Sequence, residues 1–113
     1  MKEIVDFLRK ETDVLNTEQM AQDLAKATAM YYTAATCYAQ QESIYTATLA
    51  RLAKEELDTK YNAKEKEYII KGKAAEQKYN LSLAKGLLDA LYMKIESLRT
   101  LISKAKEELK LTK

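Results

Sequence analysis

Five positions at a strict seven-residue spacing, Leu24, Tyr31, Tyr38, Tyr45 and Leu52, constrain this chain more than any other feature. A sustained seven-residue repeat keeps one stripe of a helix against a partner along its length. Ala27, Ala34, Gln41 and Thr48 fill the alternate seam positions. Small residues there let a second helix come close while tyrosine rings pack over the contact. Proline is absent and glycine occurs only at Gly72 and Gly86, so nothing stops a helix from Thr17 to about Asp58, and turn-rich β folds are excluded.

Two further helices read out on either side. Ile4, Val5 and Leu8, widened by Phe7, make an amphipathic face over about residues 2–12. Asn16 with Gln19 three residues on has capping-box spacing, so the long helix starts at Thr17, with Leu15 as its staple residue. Asn62 and Glu65 repeat that spacing after a polar stretch, which puts the turn near 58–62 and a last helix over about 63–109. Its seam alternates steps of four and three: Ile70, Ala74, Gln77, Leu81, Ala84, Leu88, Leu91, Ile95, Leu98, Ile102, Ala105, Leu109. The expected fold is all-α: a single domain of one short N-terminal helix and a long antiparallel, coiled-coil-like helical hairpin. The basic end, Lys104 to Lys113, is expected to fray.

Charge patterning adds an expectation of self-association. Between Lys26 and Arg51 the only charged residue is Glu42, and Met30, Cys37 and Ile44 form a second stripe seven apart. A helix with one partner needs a single apolar face and shows charges on the other. Two stripes predict contacts on two sides, so Leu24, Tyr31, Tyr38, Tyr45, Leu52, Met30, Cys37 and Ile44 are expected to form an interface between copies. A monomer in solution contradicts this expectation.

Several chemistries are excluded by residue type. There is no His and one Cys, which removes the commonest general base, Glu-x-x-His di-iron sites and Cys/His zinc sites. No glycine-rich loop exists to cradle a phosphate. Glu55 and Asp58 make one acidic pair a helical turn apart, but the second acidic motif that a magnesium site of that kind needs is missing. Neither an enzyme nor a cofactor is expected. A lone Cys37 and an acidic start, Met1 to Asp6, point to a reducing, cytoplasmic setting. The longest uncharged run, Ala27 to Gln41, is too short and too polar to span a bilayer.

Charge is also uneven along the chain. Residues 1–24 carry three basic and six acidic side chains, whereas 51–113 carry fifteen basic and ten acidic. Around the turn Arg51, Lys54, Lys60, Lys64, Lys66, Lys71, Lys73 and Lys78 interleave with Tyr61, Tyr68 and Tyr79. Lysines can neutralise phosphates while tyrosines stack on unpaired bases. Six acids share the stretch, so a repeated patch in an oligomer serves binding better than a single copy. The competing reading is that the lysines solvate the helices and Tyr68 and Tyr79 pack within the bundle.

The order of features resembles the UvsY-type recombination mediators of tailed phages. It comprises a short acidic first helix, the connector Leu15-Asn16-Thr17-Glu18, and the run Ala25-Lys26-Ala27-Thr28-Ala29-Met30-Tyr31-Tyr32. Leu57-Asp58 then precedes the turn, Lys64-Glu65-Lys66-Glu67 opens the last helix, and Ile95-Glu96-Ser97-Leu98 lies near its end. The resemblance implies a phage-like DNA-recombination accessory protein, non-catalytic and oligomeric. Such a protein binds single-stranded DNA and assists recombinase loading by displacing single-strand-binding protein. Lys54 stands where such proteins present a basic residue before the inter-helix loop, and Glu56 departs from that pattern. The alternative is a structural or adaptor helical protein, such as a phage assembly chaperone, without nucleic-acid binding. Small secreted hairpins with a Trp-x-Gly turn fit poorly, since Trp is absent.

Overall fold

The computed structural model describes residues 2–13, 16–57 and 60–111. These residues form four helices and no strand: α1 (Lys2–Arg9), α2 (Thr17–Glu55), α3 (Ala63–Lys73) and α4 (Ala75–Leu111). They group into two compact units, one from residues 1–35 and 86–113 and the other from 36–85.

Helix starts follow the sequence closely, because caps are local. Asn16 Oδ1 accepts from the Gln19 N–H at 3.0 Å and the Asn16 carbonyl accepts from Met20 N–H. Asn62 makes the reciprocal version: its Oδ1 accepts from Glu65 N–H at 2.8 Å while its Nδ2 donates to Glu65 Oε1. Each cap satisfies a backbone donor that the first helical turn leaves without a partner. The staple residue Leu15 lies outside the described residues.

Helix ends depart more. α1 stops at Arg9 rather than near Thr12, because Lys94 of α4 reaches across to it. The Lys94 ammonium donates to Thr12 Oγ1 at 2.7 Å and to the Lys10 carbonyl at 3.4 Å, drawing the chain out of the helical path. α2 closes at Glu55 with Glu56 N–H on the Leu52 carbonyl and Leu57 N–H on that of Lys54. Asp58 and Thr59, part of the expected turn, lie outside the described residues. The final helix, read from sequence as continuous, is broken at Ala74 (φ −94°, ψ 6°). The break is shallow, since Ala74 N–H still bonds the Ile70 carbonyl and Lys78 N–H that of Ala74. Gly72, a weak helix former, precedes it by two residues.

The first unit holds a continuous core. Ile4 and Phe7 of α1 cluster with Met20, Ala27 and Ala34 of α2 and with Leu91, Ile95 and Leu98 of α4. Leu24, Met30, Tyr31, Leu88 and Ile102 pack against this cluster. Eight residues are too few for α1 to be stable alone, so its helix depends on this packing. Asp23, only 5% exposed, accepts from Gln19 Nε2 at 3.0 Å and from Lys10 Nζ at 3.5 Å. The Lys26 ammonium stands 5.6 Å over the Phe7 ring.

The second unit is thinner. Its buried residues are Leu52, Glu56, Ala74 and Ala84, and α3 buries none of its side chains fully. Tyr38, Gln41, Tyr45, Thr48, Gln77 and Leu81 are half-buried along the seam. Gln77 Oε1 has no hydrogen-bond partner among the described residues. An open groove of about 460 Å³ lies beside α3, lined by the apolar Tyr45, Leu49, Ala53, Leu57, Ala63 and Ile70 together with Glu56, Lys66, Glu67 and Lys71.

Candidate nucleic-acid interface

The basic and aromatic residues singled out in the sequence all fall in the second unit, and helix geometry divides them into two sets. At 3.6 residues per turn, Lys64, Tyr68, Lys71, Lys78 and Tyr79 fall within about 100° of arc. The near-intact hydrogen-bond ladder through Ala74 carries the stripe from α3 into α4. All five are exposed, and Tyr68 is the most exposed aromatic at 82%. Lys66 and Lys73 lie on the opposite side of the same helices. Lys66 Nζ donates to the Leu57 carbonyl at 3.4 Å, and Lys73 Nζ pairs with the buried Glu56 carboxylate at 3.3 Å. These two lysines join α3 to the end of α2, and the Lys73 side chain remains half in water.

The remaining cations differ in how they are engaged. Arg51 pairs with Glu55 at 2.8 Å and Lys71 with Glu67 at 3.1 Å, both one helical turn apart and well exposed. Exposed pairs of this kind contribute little and exchange readily for a phosphate. Lys54, Lys60, Lys64 and Lys78 are exposed and make no ion pair among the described residues. Tyr61 is exposed just before the Asn62 cap. The reading in which Tyr68 and Tyr79 pack inside the bundle does not hold: both rings face water.

A wider pattern escaped the reading of composition. Lys64, Lys71, Lys78 and Lys85 stand seven residues apart, and the column continues through Tyr92, Arg99 and Lys106. All are exposed. Scanning the polar positions for the period already evident in the apolar ones reveals it.

The residues expected at an interface between copies are distributed unequally. Leu24, Tyr31 and Met30 pack against the first unit's core, and Leu52 is buried in the second unit. Tyr38, Tyr45 and Cys37 are half-buried, and Ile44 is exposed. The charge-poor surface still facing water on α2 includes Tyr32 and Ile44 with small polar and Ala positions such as Thr36, Ser43, Ala47 and Ala50.

Among the described residues no group of three or more His, Cys, Asp or Glu side chains could hold a metal ion, and no helix is long and apolar enough to cross a membrane. Asp58 of the Glu55/Asp58 pair lies outside those residues. Comparison with protein families, curated proteins and solved structures gives no match for this chain.

Proposed function

We propose that the chain is a non-catalytic, single-stranded-DNA-binding accessory protein of the recombination-mediator type, acting as a homo-oligomer. The reading includes an antiparallel arrangement of α2 against α3–α4 as a long hairpin. One observation carries it: three lysines and two tyrosines share one exposed face of α3 and the start of α4. Tyr68 and Tyr79, three helical turns apart, suit bases several nucleotides apart on one strand, and the lysines between them suit the backbone phosphates. Base-independent stacking with phosphate neutralisation favours single strands over duplex, whose bases are already stacked. The nearby acids keep a single copy's affinity low, so repetition of the stripe in an assembly supplies avidity. The feature order shared with phage recombination mediators then gives such binding a role, the loading of a recombinase onto DNA.

The test is a fluorescence-anisotropy titration of a labelled single-stranded oligonucleotide at several salt concentrations. Binding that weakens with salt, and that is stronger for the single strand than for the duplex, is the expected result. Absence of salt-sensitive binding at micromolar protein overturns the reading.

The adaptor alternative is favoured by the apolar groove beside α3, where Leu57 is exposed. A stable complex with a protein partner together with indifference to DNA decides for it.

A further inference from the structure

The first unit carries a cleft that the lysine stripe does not touch. It encloses about 170 Å³ between α2 and α4 and is lined by Thr28, Tyr31, Tyr32, Tyr92, Ile95, Glu96 and Arg99. That volume is well below the roughly 300–1,000 Å³ of pockets for drug-sized ligands and suits one planar ring system. Two of its aromatic rings are open to solvent: Tyr32 is 68% exposed and Tyr92 55%. Rings that merely completed the core would be covered, as Phe7 is.

The cleft is partly preorganised. Tyr31 packs against the hydrophobic cluster and meets Tyr32 edge to face, with ring centroids 6.2 Å apart and planes at 75°. The half-buried neighbour therefore steadies the exposed ring. Arg99, two helical turns beyond Tyr92, contributes the positive charge. Its Nη1 donates to Glu96 Oε1 at 3.1 Å, while its side chain stays 63% exposed. A guanidinium has five N–H donors in a planar fork, so this contact leaves most of them for a phosphate. Glu96 can accept from an exocyclic amino group of a base. Lys106, a further seven residues on, extends the positive charge along the same column.

We infer that this cleft is a second, single-nucleotide subsite: an unpaired base stacks against Tyr32 and Tyr92 while Arg99 holds the adjoining phosphate. The ligand class, a single-stranded nucleic acid, rests on the proposed function, whereas the site is carried by separate residues in a different unit. Aromatic faces with an exposed guanidinium beside them match a base and its phosphate, and a purely apolar peptide side chain would make no use of the Arg99 donors beyond the Glu96 contact.

Photocrosslinking with a bromodeoxyuridine-substituted oligonucleotide, followed by peptide mapping, separates the two sites. Adducts on Tyr32 or Tyr92, in addition to Tyr68 or Tyr79, are expected. Tyr32→Ala and Arg99→Ala should each weaken binding about tenfold. Both side chains are exposed, so the thermal transition should stay in place. Arg99→Lys, which keeps the charge without the fork, should restore part of the loss. Adducts confined to Tyr68 and Tyr79, with Tyr32→Ala binding like the parent protein, overturn the cleft and leave the lysine stripe standing. Adducts confined to Tyr32 and Tyr92 remove the stripe and keep the cleft. No adduct at any of the four overturns both.

Discussion

Lys73 Nζ sits 3.3 Å from Glu56 Oε1, joining the last turn of α3 to the residue just past α2 across a separation of 17 positions. The carboxylate is nearly buried while the lysine is half in water. Removing the lysine takes a charged partner from a buried carboxylate, whereas replacing both groups with apolar residues removes the buried charge itself. Lys73→Met is therefore expected to destabilise the protein, by about 1 kcal/mol once solvent screening of the exposed partner is allowed for. The double change Glu56→Leu with Lys73→Met should recover most of that loss. Urea denaturation followed by circular dichroism measures both, and a double variant less stable than Lys73→Met alone contradicts the assignment.

Leu98 and Met93 share helix α4, yet they should respond very differently to truncation. Leu98 is fully enclosed in the first unit's core and Met93 lies in water. Leu98→Ala is expected to cost about 2–5 kcal/mol through lost burial and the cavity left behind. Met93→Ala should stay within about 0.5 kcal/mol of the parent. Equal effects in a thermal or urea melt would sink this account of the core.

The two asparagine caps offer a comparison of local with long-range support. Asn16→Ala and Asn62→Ala each remove a side-chain acceptor from a helix start, at a typical cost of about 1 kcal/mol. α3 has no fully buried residue to hold it, so its cap carries more of its stability. Hydrogen exchange should therefore show α3 amides losing protection in Asn62→Ala, while α2 amides beyond the first turn keep theirs in Asn16→Ala. Uniform loss of protection throughout the chain in Asn62→Ala is the contrary result.

On the lysine stripe, charge and stacking separate experimentally. Tyr68→Ala should weaken single-strand binding about tenfold and leave the salt dependence unchanged, since a stacked base releases no counterions. Changing Lys64, Lys71 and Lys78 together to Ala should reduce the slope of log K against log salt by about 2, at roughly 0.7 per phosphate contact on a single strand. Lys73→Ala, on the opposite side of the helices, should leave that slope unchanged. A slope that responds to Lys73 and ignores the other three would reverse the assignment of faces.

Much of the helical framework is legible in the chain itself. The capping spacings Asn16-x-x-Gln19 and Asn62-x-x-Glu65 involve atoms three residues apart, so they form whatever else surrounds them. The seam through Ala74, Ala84, Leu91, Ile95 and Leu98 is likewise visible as a period, and those positions are buried. The end of α1 was not legible, because Lys94, which draws the chain away there, is 82 residues from Thr12.

By itself the sequence determined the all-helical character, the helix starts and the buried stripe, because propensity, capping and periodicity act over a few residues. Tertiary structure alone decided which side chains of a given type remain available. It set Tyr31 against the core and left Tyr32 beside it in water, and it engaged Lys73 with Glu56 while leaving Lys64 and Lys78 open. Residue type is the same for both members of each comparison, although Tyr31 lies on the apolar seven-residue period and Tyr32 does not. What separates them is whether a distant part of the chain covers them, a property of the folded surface that local sequence does not encode.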